Sequence, residues 1–172
     1  MRHLAIAIVA VASTASADTP RTTVLGDLAG DIGGGNGGFV IGLRPELVLA
    51  HYADRDLEKG FGIGIAGDLT RQGGAGLLGG SLEVVRFRDA YRFEPSLGIY
   101  ERLADHATGG MASMYVGLRA DPENPPWEAH LGLRLVARTD RDETTVALLA
   151  QVDPILFSRF AAAMVFAMVP HN

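Results

Sequence analysis

The chain contains no cysteine, so no disulfide and no thiolate metal ligand contributes to it. Lysine is nearly absent; Lys59 is the single one. Aromatic residues make up 7% of the sequence, with one tryptophan and four tyrosines. No basic excess exists either: 15 Lys and Arg face 20 Asp and Glu. Without a basic patch, binding to a phosphate backbone is excluded as a leading reading, and no nucleic-acid partner is expected. No apolar run reaches the 20 or so residues that a transmembrane helix needs.

The apolar run from Leu4 to Ala12 stands at the start and has a specific meaning. Arg2 and His3 precede it, and Ala15-Ser16-Ala17 follows Ser13 and Thr14. Positive start, short apolar core and small-x-small site make a secretory signal peptide over residues 1–17. The expected mature chain, 18–172, fits one domain with a sizeable core. Removing Arg2 leaves 14 bases against 20 acids, a net charge of about −6.

What the chain has in abundance is glycine, 22 residues, nearly twice the usual share of roughly 7%. No Gly-X-Y period accompanies it, which excludes collagen. The glycines sit inside alternating apolar runs, as curved strands and close backbone approaches require. Eight such runs are legible, at about 22–31, 38–52, 60–71, 75–88, 91–103, 110–120, 127–138 and 143–153. Turn-forming stretches separate them, among them Gly33-Gly34-Gly35-Asn36-Gly37, Gln72-Gly73-Gly74, Asp89-Ala90 and Thr139-Asp140-Arg141-Asp142. Many short strands at regular spacing predict an all-β fold, an antiparallel up-and-down barrel of about eight strands.

Each run has one bulky face and one small-or-charged face. Phe39, Ile41, Leu43, Leu47 and Leu49 oppose Val40, Gly42, Arg44 and Glu46. Phe61, Ile63, Ile65 and Leu69 oppose Gly62, Gly64, Ala66, Asp68 and Thr70. Leu97 and Ile99 oppose Ser96, Gly98 and Tyr100, and Leu131 and Leu133 oppose Gly132 and Arg134. The fourth run slips phase near Val84-Val85, which predicts a β-bulge.

Periodicity alone permits either sense. In a soluble barrel the bulky face points inward; in a membrane barrel it meets lipid and the small and charged residues fill the lumen. The polar phase favours the second sense, because it mixes glycine with opposite charges rather than with Lys, Thr, Gln and Asn. Run lengths near ten residues suit tilted spanning strands. Arg44, Glu46, Glu83, Arg92, Glu94, Arg119, Glu128 and Arg134 all fall on the small phase and are expected to form a self-neutralising network of four acids and four bases in the lumen.

With Ala15-Ser16-Ala17, the dyad repeats and the segment Gly37-Gly38-Phe39-Val40-Ile41-Gly42-Leu43-Arg44-Pro45-Glu46-Leu47, the chain resembles the small bacterial outer-membrane β-barrel proteins over nearly all of its mature length. The resemblance implies an outer-membrane location, with membrane lipid as the partner. After residue 153 the pattern is ambiguous. Asp153-Pro154 suits a helix start, predicting a short helix over 154–169, while a rival strand reading puts Phe160, Met164, Phe166 and Met168 near one face.

Motifs that carry chemistry are weak. Gly33, Gly35 and Gly38 match a dinucleotide fingerprint, but a strand follows where a helix is needed. Asp54, Asp56 and Glu58 imitate the start of a calcium loop, which Lys59 and Ile65 then break at its glycine and glutamate positions. Asp140, Asp142 and Glu143 read as a similar solvated acidic turn. His51, His106, His130 and His171 form no i, i+4 pair. No cofactor and no metal-ligand motif is therefore expected. The sequence reading is a non-enzymatic barrel of structural or narrow-conduit role. Two alternatives stay open: a soluble periplasmic or secreted lipocalin-like barrel binding an apolar ligand, and a lipid-modifying enzyme using Ser113, His130 and Glu128.

Overall fold

The computed structural model describes residues 21–53, 59–119 and 130–152. They form eight strands: β1 (Arg21–Gly35), β2 (Gly38–Tyr52), β3 (Lys59–Gln72), β4 (Ala75–Arg88), β5 (Tyr91–Arg102), β6 (Ala107–Arg119), β7 (His130–Thr139) and β8 (Thr144–Val152). Each pairs antiparallel with its neighbour in sequence, and β1 pairs with β8 to close the barrel. The 154–169 helix and the signal segment lie outside the described residues.

The register fixes the geometry. Stepping across the ladder from Leu25 leads through Val48, Gly64, Glu83, Ser96, Ser113, Val136 and Ala147 back to β1 at Gly35. The circuit returns ten residues beyond its start, so the barrel has eight strands and a shear of ten. With ordinary strand spacings this sets a tilt of about 40°. A barrel of that size leaves an interior that side chains fill.

Turn chemistry agrees with the pattern. Gly73 and Gly74 both take positive φ, 55° and 98°, as a two-residue hairpin turn between β3 and β4 requires. The glycine-rich stretch after residue 31 differs from expectation. Gly33, Gly34 and Gly35 belong to β1, pairing with Val40, Phe39 and Gly38, and only Asn36-Gly37 turns. These glycines are in the ladder because β1 must reach both β2 and β8. A Cβ at Gly33 or Gly35 would collide with β8 backbone.

The expected bulge near Val84-Val85 is absent. The β3–β4 register runs unbroken from Lys59↔Arg88 to Gln72↔Ala75. Alternation in β4 continues to the strand end, with Val84 and Arg86 outward and Val85 and Phe87 inward. The apparent slip arises because the lumen at the end where β1 begins and β8 finishes is apolar rather than small or charged. Leu25, Val48, Ala50, Tyr52, Val85 and Phe87 pack there as one cluster.

The bulky phase faces outward throughout. Phe39, Ile41, Phe61, Ile63, Leu131 and Leu133 are exposed, and Leu97 and Ile99 reach 72% and 74%. On β3 the outward face reads Lys59, Phe61, Ile63, Ile65, Gly67, Leu69, Arg71. Arg71 lies twelve positions after Lys59, about 30 Å along the barrel axis after correction for tilt. Arg86 and Arg88 of β4 extend the cationic rim beside Lys59.

Candidate functional site: the charged lumen

The inward phase carries the charges. At mid-barrel Arg44, Glu46, Glu83, Arg92, Glu94 and Arg134 are all buried, Arg134 completely. Arg44 donates to Asp68 Oδ2 at 2.9 Å and to Glu83 Oε2 at 2.5 Å. Arg134 donates to Asp31 Oδ2 at 2.8 Å and to Asp68 Oδ1 at 2.6 Å. Arg92 pairs with Glu46 and Glu94, and lies 3.8 Å from Asp27. Asp68 thus bridges two arginines, and the ion pairs tie β1, β2, β3, β4, β5 and β7 across the lumen.

Several expectations change in detail. Asp31, Asp68 and Asp27 join the network. Asp68 is visible in the sequence on the same phase as Gly62, Gly64 and Thr70; Asp27 and Asp31 share one phase of the 22–31 run, whose faces are too alike in size to mark them as inward. The expected balance of four acids and four bases therefore does not describe the layer. Arg119 is buried at the end where β1 begins, 4.8 Å over the Phe87 ring and 5.6 Å over Tyr52, donating to the Asp89 carbonyl. Glu128 lies outside the described residues.

Two apolar layers bound the ion layer. The Leu25–Phe87 cluster closes one side. Val40, Leu77, Tyr100, Met111, Val136, Ala147 and Leu149 close the other. The glycines make room for the large interior side chains. The Tyr115 ring lies across Gly117 of its own strand and Gly132 of β7, where any Cβ would strike it. Beyond the second apolar layer, at the turn-bearing end, a cavity of about 200 Å³ is lined by Gln72, Tyr100, Arg102, Arg138, Asp140 and Glu143 among others. Arg138 forms its floor and donates to neutral acceptors, Gln72 Oε1 at 2.9 Å and Thr70 Oγ1 at 3.4 Å.

Two of the turns at this mouth, β5–β6 and β7–β8, are held by charge. Arg102 reaches Asp105 at 3.0 Å, Glu143 at 3.3 Å and Asp142 at 3.4 Å. Hydrogen bonds from Arg102 hold the Asp105 carboxyl below the usual aspartate range. Backbone N–H groups of Asp142 and Glu143, then the Tyr100 hydroxyl, do the same for Asp140. Because both values are depressed on folding, their contribution is present above the unfolded aspartate value, near pH 4, and is lost as pH falls through the lower folded values. In an NMR titration the amide shifts of Asp142 and Glu143 are expected to move with a midpoint below about 3.9. A midpoint at the ordinary value would show that the Asp140 turn is not formed.

The catalytic alternative gains no geometry. Ser113 pairs with Val136 and His130 with Arg119, six rungs apart, or about 20 Å along the strands. Ser113 Oγ instead meets Ser96 Oγ at 2.7 Å and accepts from Arg134 Nε at 3.2 Å. The one acidic cluster with metal-ligand spacing among the described residues is Glu46, Glu83 and Glu94. No protein-family model, curated protein or solved structure matches the chain.

Proposed function

We propose that the protein is an exported outer-membrane β-barrel of structural role and no enzymatic activity, seated in lipid through its outer face. The observation that carries this reading is the outward apolar band, bounded on β3 by Lys59 and Arg71 about 30 Å apart along the axis. That height matches the hydrocarbon core of a bilayer, roughly 30 Å. Monomeric soluble proteins rarely expose one contiguous apolar surface of more than a few hundred Å². Here large apolar side chains are exposed on every strand from β1 to β8. A closed barrel satisfies its backbone internally and leaves no edge, as lipid demands.

Within this reading the structural role is favoured over a narrow conduit, because an apolar layer lies on each side of the ion layer. The lipocalin-like alternative asks for an apolar interior, and the central lumen is ionic. Mature protein is expected to need detergent and to run on gels at a different apparent mass when unheated, since closed barrels resist unfolding. Monomeric behaviour of untagged protein in plain buffer would transfer the assignment to the lipocalin-like barrel.

A further inference from the structure

We infer that the lumen holds one hard divalent cation, of the calcium class, between Glu46, Glu83 and Glu94. These residues come from β2, β4 and β5, and the shear of the barrel brings them to one level. One oxygen of each lies within 4.8 Å of the others. Two oxygens on a single Ca²⁺ at 2.3–2.6 Å can be at most about 5 Å apart and three spread evenly around it about 4.5 Å, so one ion reaches all three with at most a small inward shift of the side chains. All three residues are more than nine-tenths buried.

Each carboxylate gives one oxygen to an arginine and leaves the other without a hydrogen bond. Glu83 Oε2 takes Arg44, while Glu83 Oε1 has no donor. Glu94 Oε1 is paired with Arg92, while Glu94 Oε2 has no donor. Glu46 Oε1 is held by Arg92, and its Oε2 has only the Arg44 Nε at 3.9 Å. The arginines therefore hold one oxygen of each carboxylate and leave the second oxygen available to a metal ion. Buried acceptors left without donors are costly, and a cation satisfies them together.

The charges agree. Among the described residues the central layer has six carboxylates, Asp27, Asp31, Glu46, Asp68, Glu83 and Glu94, against Arg44, Arg92 and Arg134. The deficit is three positive charges; counting the flanking Arg119 and Arg138 reduces it to one. With all six carboxylates ionised, either count leaves net negative charge that a cation would offset. The ligand atoms are all carboxylate oxygens, with neither imidazole nor sulfur, which selects the calcium and magnesium class. This inference does not depend on lipid outside the barrel.

The test is to unfold the protein in urea with chelator, refold it into detergent with or without calcium chloride, desalt it, and measure bound metal by mass spectrometry. The expected result is about one calcium per folded chain and a higher melting temperature than for the metal-free preparation. Glu94→Gln and Glu83→Gln, checked for folding by circular dichroism, should each weaken retention roughly tenfold or more. Asp142→Asn, in an exposed turn, should retain the ion. Folded wild-type protein that binds no calcium and melts identically in both preparations would overturn the inference. So would a protonated-carboxyl infrared band that disappears in Glu94→Gln while calcium has no effect, since protons would then supply the missing charge.

Discussion

Replacing Arg44 by leucine is expected to lower folding stability by roughly 3–5 kcal/mol, because it strands buried carboxylates. The side chain is 2% exposed and meets Asp68 and Glu83 at hydrogen-bond distance. Leucine fills much of its volume but leaves those anions without their counter-charge in a low-dielectric interior. Arg141, exposed in the β7–β8 turn, provides the control, and its replacement should change stability by no more than about 0.5 kcal/mol. Urea titration of the two variants, folded in the same detergent or lipid, makes the comparison. Equal and negligible losses would place the Arg44 face in water and reverse the inside–outside assignment of every strand.

Ile65→Arg should cost roughly 2–4 kcal/mol when folding is measured into lipid vesicles. Ile65 is an outward residue midway between Lys59 and Arg71, so under the membrane reading its side chain sits near the bilayer centre. An arginine there has no lumen partner and must thin the bilayer or stretch toward a rim. Leu69→Arg, one outward position from the Arg71 rim, should cost less, because the penalty falls toward the interface. A soluble barrel would tolerate both, since a surface isoleucine replaced by a charge usually shifts stability by under about 0.5 kcal/mol. The size and depth dependence of the two losses therefore report the solvent around the barrel rather than the fold.

The fold was legible because strand periodicity is two, and two faces of unlike chemistry record it along the whole chain. Phe61, Ile63 and Ile65 against Gly62, Gly64 and Ala66 leave one phase for β3. The signal fails where the faces stop differing. Val84 and Val85 are chemically alike, and Val85 and Phe87 face an apolar end of the lumen, so the sequence there imitates a bulge. It fails again at Gly33 to Gly35, where the same residue type serves loops and crowded ladders.

Site residues divide in a similar way. Period two marks Arg44, Glu46, Glu83, Arg92, Glu94 and Arg134 as sharing a phase. It cannot say that Arg134 meets Asp31 and Asp68, or that three glutamates converge. Those partnerships depend on the stagger between strands, and a shear of ten emerges only when the last strand returns to the first. Linear motif spacing carries no trace of Glu46, Glu83 and Glu94 as a group, since each lies on a separate strand.

The closing seam has a consequence for how the chain assembles. Seven of the eight pairings join sequence neighbours across short or moderate connections, so each can form with little loop-closure entropy. The eighth joins Gly30–Gly35 to Ala147–Val152, more than a hundred residues apart, over six rungs. Until that seam forms, β1 and β8 are both edges with unpaired backbone, able to take on a strand from another chain. Glycine on the β1 side permits the close approach that shuts it. Seam closure is thus expected to be the late, topology-limited event of assembly. An interval before it would let two copies exchange strands, and the Arg134–Asp31 ion pair, which ties β7 to β1, needs the closed barrel.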